Sequence, residues 1–184
     1  MKKFKIEELN PILKKKLCVW DRYKGKHIPG YEALLLFVFS NGVENYFKCI
    51  EEAELIDKIA NFGRPSQERH KYVLLEKNEV KSYVCFTVEK EEGKKTRMYI
   101  DSIASHPLEH GKGYATKLLK TIIKNSDKYM SVKPAYVYGL VKKNNLSSQA
   151  LFQKLGEVEY EQAEHEDYFF NIVKTKYYDE LGKK

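Results

Sequence analysis

The sequence predicts an α/β (α+β) fold: a central mixed, mostly antiparallel sheet containing one parallel strand pair and flanked by helices. Three observations predict it. Strand-like segments over residues 72–76, 80–89 and 96–105 follow one another with short links, which makes them antiparallel neighbours. A strand–helix–strand run then ends in a segment over 135–141, and a crossover of that length makes this strand parallel to the one before the helix. Within that crossover, Tyr114, Ala115, Leu118, Leu119, Ile122 and Ile123 recur at helical spacing, with Lys117, Lys120 and Lys124 mostly opposite.

Taken in order, residues 3–9 alternate loosely through Phe4, Ile6 and Leu9 and read as a first strand. Asn10 and Pro11 supply an N-cap and a favoured first helical residue, so a helix is expected from 11 to about 20. A loop over 23–30, rich in Lys, Gly and Pro, follows. The apolar run that starts at Ala33 suits a buried helix or a buried strand, and helix is the favoured reading. A helix over about 44–60 is clearer: Phe47, Ile50, Leu55, Ile56 and Ile59 lie near one stripe, and Gly63 and Pro65 end it. After the three strands, the central helix and the strand over 135–141, a helix is expected over 145–155. Strands over 157–160 and 167–173 close the sheet, with a frayed tail beyond 178.

At 184 residues the chain suits one domain, 1–184, with an enlarged helical region at about 10–63. No apolar run approaches the roughly 20 residues that span a bilayer. The first residues lack the apolar core of a secretory signal, because Glu7 and Glu8 interrupt it, and a cytoplasmic protein is expected. Cys18, Cys49 and Cys85 form no C-x-x-C pair, and the five His residues show no ligand spacing, so neither a disulfide framework nor a metal is expected. The net charge of +7 suits an anionic coenzyme, a nucleic acid or merely solvated lysine clusters near the two ends.

The chemistry is concentrated in residues 100–123, IDSIASHPLEHGKGYATKLLKTII. Here a strand runs through a glycine-containing turn into a helix. A helix entrance exposes N–H groups without internal partners, and glycines let an anion approach the backbone, so the stretch has the form of a phosphate cradle.

HGKGYA resembles the pyrophosphate loop of the GNAT superfamily of N-acetyltransferases, whose pattern is Arg or Gln, two residues, Gly, one residue, then Gly or Ala. His110 takes the first position, Gly113 the glycine and Ala115 the last. Downstream, NLSSQALFQKLGEVEY resembles the family's later helix, in which an Asn is followed after eleven positions by the helix-ending Gly, here Asn145 and Gly156. The order of predicted elements is also the family's order.

The resemblance implies acetyl-CoA as acyl donor and cosubstrate and an amine acceptor; no metal or membrane is expected, from the His and Cys spacing and the short apolar runs. It implies that the strands on either side of the loop splay, often at a bulge, and that the pantetheine arm enters the gap as a peptide would at a sheet edge. Ile103, Ala104 and Ser105 would then contact the arm through their backbone. The N–H groups of His110, Gly111, Lys112, Gly113, Tyr114 and Ala115 would hold the pyrophosphate, with Thr116 adding a hydroxyl and Asn145 reaching the arm from the other side. Asn145 is equally an N-cap, and the two roles can coexist. The loop over 23–30 would form a wall of the acceptor site.

Two positions depart from the family pattern. His110 replaces the usual Arg or Gln in a loop that works largely through backbone donors. Phe152, at a coenzyme-lining position four residues before Gly156, replaces the Tyr that many members use to protonate the leaving thiolate. An attacking amine must be neutral, and Asp101 is the candidate base, with an ion-pair partner as its alternative role. Tyr138, on the parallel strand, is a candidate acid that would replace the missing Tyr, with a packed aromatic as its alternative. The expected reaction is acetyl transfer to a primary amine of a small molecule or protein. A charged tRNA or RNA-bound acceptor, or a binding module without turnover, are the alternatives. The assembly is expected to be a monomer or a homodimer.

Overall fold

The computed structural model describes residues 4–9, 18–21, 26–29, 69–106, 109–164 and 166–178. Among them are the strands β1 (Phe4–Glu8), β2 (Cys18–Asp21), β3 (Lys26–Pro29), β4 (Arg69–Glu76), β5 (Glu79–Glu89), β6 (Arg97–Ser105), β7 (Tyr136–Lys142), β8 (Val158–Gln162) and β9 (Tyr168–Lys174). The helices are α1 (Tyr114–Lys124), the single turn α2 (Ser126–Tyr129) and α3 (Leu146–Leu155). Seven strands form one sheet in the order β1-β4-β5-β6-β7-β9-β8, and β2 and β3 pair separately. The mixed sheet, its one parallel pair and its helices match the predicted fold class. No helix among the described residues is long and apolar enough to cross a membrane.

The chain divides into two compact units. The first comprises Met1–Gln67, Lys71–Tyr83 and Ile103–Tyr114. In it β1 runs antiparallel to β4 in the register Ile6↔Leu74. Val73 and Leu74 are wholly buried there, and the ring of Phe4 meets that of Tyr114 edge-on at 6.3 Å. Lys77 and Asn78 join β4 to β5 with φ of 52° and 65°. Two successive positive φ values make a two-residue turn whose twist suits an antiparallel hairpin, as the short link predicts.

This unit also carries the main correction to the expected elements. Residues 18–20, expected in a helix, belong to β2, and 26–29, expected in a loop, form β3; the two pair antiparallel in the register Val19↔Ile28. The sequence Cys-Val-Trp combines a β-branched and an aromatic residue, which favour a strand once a partner is present. The helix expected from the apolar run that starts at Ala33, the helix over about 44–60, the earlier part of the helix over 11–20, and the tail beyond 178 lie outside the described residues.

The second unit comprises Glu68–His70, Val84–Ser102 and Ala115–Lys184. Its core takes Leu118, Leu119 and Ile122 from α1, all fully buried, together with Val84, Phe86, Met98 and Val137. Lys117, Lys120 and Lys124 are exposed, as the helical periodicity requires. β7 and β8 both pair antiparallel with β9, which lies between them. β6 and β7 pair in parallel over only three positions, from Arg97↔Tyr136 to Tyr99↔Tyr138. β7 nevertheless runs on to Lys142.

Candidate functional site

The loop that opens α1 has the backbone an anion site requires. Gly111 and Gly113 stand at φ of 79° and 78°, a region that residues with a Cβ rarely adopt. Among the described residues, a Cβ built on either would meet nothing within 4 Å, so they leave the space beside both glycines open. α1 has no acidic residue in its first turn to repel an anion. Phosphate oxygens could therefore approach the loop backbone at Gly111 and Gly113.

The side chains of this loop point to other tasks. His110 is exposed, and its Nε2 lies 3.3 Å from the carbonyl oxygen of Ser105, a donor contact for the Nε2–H tautomer. Lys112 pairs with Glu109. Tyr114 is buried and its hydroxyl donates to Glu76 Oε2 at 2.9 Å, which, with burial adding to it, raises the pKa of the phenol. Tyr114 thus anchors the helix start, leaving its backbone as the part available to a ligand. Ile103, Ala104 and Ser105 are half-buried at the end of β6, and the Ala104 carbonyl accepts from Ser82 Oγ at 2.7 Å. Ala115 and Thr116 are half-buried in the first turn of α1.

Sequence reasoning missed the ionic network behind the loop. Lys81 Nζ lies 3.0 Å from Glu109 Oε1 and 2.7 Å from Glu79 Oε2. Burial would push the amine's pKa down, but its bonds to Glu79 and Glu109 outweigh that and raise it. The bonds from Lys112 and Lys81 hold the Glu109 carboxyl down at about 2. Burial, aided by the charge of Lys81, lowers the pKa of His106. Lys81 and Glu109 are 28 residues apart, so no local pattern could have paired them.

In the second unit, Asp101 accepts from Thr87 Oγ1 at 2.8 Å and faces Arg69 Nε at 3.9 Å. Its side chain keeps 20% of its surface exposed, so the carboxylate is both held and accessible. Tyr138 donates its hydroxyl to Glu89 Oε2 at 2.6 Å. Glu89 is buried and lies 3.2 Å from Arg97, whose guanidinium also sits over the Tyr138 ring at 5.6 Å. Tyr99 packs on the same ring at 5.0 Å.

Asn145 caps α3: its Oδ1 accepts from the Ser148 N–H at 3.1 Å. Phe152 is buried, and its Cζ lies 2.9 Å from where a Cβ would stand at Gly139. Among the described residues no cluster of His, Cys, Asp or Glu is arranged to hold a metal ion.

A mixed sheet with one short parallel pair, a glycine cradle after the first of those strands and an Asn-capped helix after the second defines an acyl-coenzyme A transferase architecture. The chain belongs to the Acetyltransferase (GNAT) family, whose sequence profile matches residues 37–156. No curated protein sequence matches it.

Solved structures share the fold at low identity. The NatC complex bound to Gag peptide and CoA matches with a TM-score of 0.56 and 11% identity, over 96% of this chain and 100% of that one. The GNAT-family acetyltransferase from Streptococcus pneumoniae gives 0.52 and 13%, over 94% and 99%. The yncA protein of Salmonella typhimurium, solved with its cofactor acetyl-CoA, gives 0.51 and 15%, over 93% of each chain.

Proposed function

We propose that this chain transfers an acetyl group from acetyl-CoA to a primary amine of a small molecule or protein. The observation that carries the reading is the open space beside Gly111 and Gly113, both at positive φ, immediately before a helix without an acidic first turn. Acetyl-CoA supplies a thioester whose acyl carbon accepts the amine's lone pair and whose thiolate departs. In the first unit, the N–H groups of His110, Gly111, Lys112, Gly113 and Tyr114 bind the pyrophosphate, and Ile103, Ala104 and Ser105 offer backbone groups to the pantetheine arm. The second unit, taken by itself, offers the N–H of Ala115, the hydroxyl of Thr116 and the side-chain NH₂ of Asn145, whose Oδ1 caps α3.

Asp101 is the group we assign to take the proton from the attacking amine, directly or through a water. Its exposed fraction gives the access that role needs. Tyr138 is the group we assign to protonate the departing thiolate, with solvent as the other proton source; its hydroxyl donates to Glu89, which also faces Arg97. The test is thiol release from acetyl-CoA across a panel of small amines and peptides. Turnover dependent on the amine supports the reading, and none with any acceptor, by a folded chain that binds the coenzyme, counts against it.

One observation favours an RNA-bound acceptor as a second reading. Lys95 and Lys174 lie over the ring of Tyr178 at 3.3 and 5.3 Å, and Lys133 and Lys176 lie over Tyr177 at 5.2 and 4.7 Å. Lysines interleaved with tyrosines suit a phosphate backbone, and binding would then weaken steeply as salt rises. Binding of tRNA that is indifferent to salt or absent removes this reading.

A further inference from the structure

The geometry points to Lys81 as the residue that positions the phosphate-binding loop, gripping it both through its own backbone carbonyl and through the carboxylate of Glu109. This rests on the reading of that loop as the coenzyme site. Lys81 lies on β5, and only 9% of its side chain is exposed. A lysine so placed is costly unless its charge is met by a partner. Glu79, 71% exposed, is a surface partner, whereas Glu109, 17% exposed, is the partner that shares its burial.

The two grips fall at the loop's entry and three residues on. The N–H of His106 donates to the Lys81 carbonyl at 2.9 Å, and Lys81 Nζ meets Glu109 Oε1 at 3.0 Å. From Glu109 the hold passes in both directions. The Glu109 N–H donates to the His106 carbonyl at 2.8 Å, and the Lys112 N–H donates to the Glu109 carbonyl at 3.3 Å, while the Lys112 ammonium takes the other carboxylate oxygen. Gly111 and Gly113 flank Lys112 at positive φ, and their lack of a Cβ leaves the backbone a conformational freedom that the tether restricts.

The tether also resolves a charge problem. A carboxylate two residues before the first cradle glycine would repel a pyrophosphate. Bonded to two ammonium groups, Glu109 presents no net negative charge to it.

The experiment measures coenzyme A and pantetheine binding to the full chain and to Lys81→Met, Lys81→Arg and the double variant Lys81→Met/Glu109→Leu. The double variant replaces the pair with apolar groups and so keeps the chain folded where the single change leaves Glu109 with Lys112 as its partner and its Oε1 unmet. Coenzyme A should bind at least tenfold more weakly to Lys81→Met and to the double variant, and within about threefold of wild type to Lys81→Arg. Pantetheine, which carries no phosphate and does not reach the loop, should bind all four alike. Unchanged coenzyme A binding by the double variant, or an equal loss for pantetheine, would overturn the positioning role while leaving the coenzyme site standing. Failure of the wild type to bind coenzyme A would overturn both.

Discussion

The ring of Phe152 presents its Cζ to Gly139, 2.9 Å from where a Cβ would stand on that strand residue, and Ile100 closes the same space at 3.5 Å. The para position, where a tyrosine would carry its hydroxyl, is therefore packed against β7. Gly139→Ala should destabilise the fold by about 1–3 kcal/mol through overpacking. Phe152→Tyr should also lower stability and should not raise turnover, because its hydroxyl would have to displace Gly139 or Ile100. Thermal unfolding and acetyl-transfer rates measured on both variants check this. A Phe152→Tyr variant that is as stable as wild type and faster would show that the position faces the thiol after all.

Asp101→Asn separates the base from the ion-pair partner. The amide keeps a hydrogen bond from Thr87 but loses the charge that faces Arg69. If Asp101 removes the amine proton, kcat/KM should fall by roughly 10²–10⁴-fold with acetyl-CoA binding unchanged. A loss of stability without a matching loss of kcat/KM would leave it a structural carboxylate.

Stability should fall in two stages on acidification. His106 has its pKa lowered from 6.5 in the folded chain. Below 6.5 the unfolded chain takes up that proton first, so stability falls as pH drops through this range. Glu109 is depressed from 4.5 to about 2. Its contribution is fully present above 4.5 and is lost as pH falls toward about 2. Denaturant midpoints measured across pH should show both stages, His106→Asn should diminish the first, and Glu109→Gln should diminish the second, in which Glu79, lowered by its bond to Lys81, also takes part. A flat profile from neutral pH to 3 would contradict the burial of His106 and the pairing of Glu109.

Asn145→Ala should cost about 0.5–2 kcal/mol, because the Ser148 N–H then loses the Asn145 Oδ1 that accepts from it in the first turn of α3. If the Asn145 amide also binds the pantetheine arm, coenzyme A affinity should fall beyond what the stability change explains. Asn145→Asp keeps the capping oxygen while removing the NH₂ donor, so stability retained with affinity lost would identify the second role.

What the sequence disclosed follows the range of the forces involved. α1 was legible because Leu118, Leu119 and Ile122 repeat at the period that buries one face, and β1 and β9 because their apolar residues read as strands of sheet length. The glycine loop was legible because positive φ selects glycine, and Gly111 and Gly113 both adopt it. β2 was misread because Asn10 and Pro11 signal a helix start locally, whereas the end of the segment is decided by pairing with β3. The single turn α2 carries too few residues to show a period. The Lys81–Glu109 and Tyr138–Glu89 bonds join positions 28 and 49 apart, and nothing in either neighbourhood announces the other.

We propose above all that the loop at Gly111 and Gly113 binds the pyrophosphate of acetyl-CoA. Calorimetric titration of the wild type and Gly113→Glu with acetyl-CoA tests it directly, with circular dichroism showing that both are folded. A glutamate there would fill the open space beside the glycine and set a negative charge against the pyrophosphate. The wild type should bind saturably and the variant should not. A folded wild type that does not bind, or a variant that binds equally well, would contradict it.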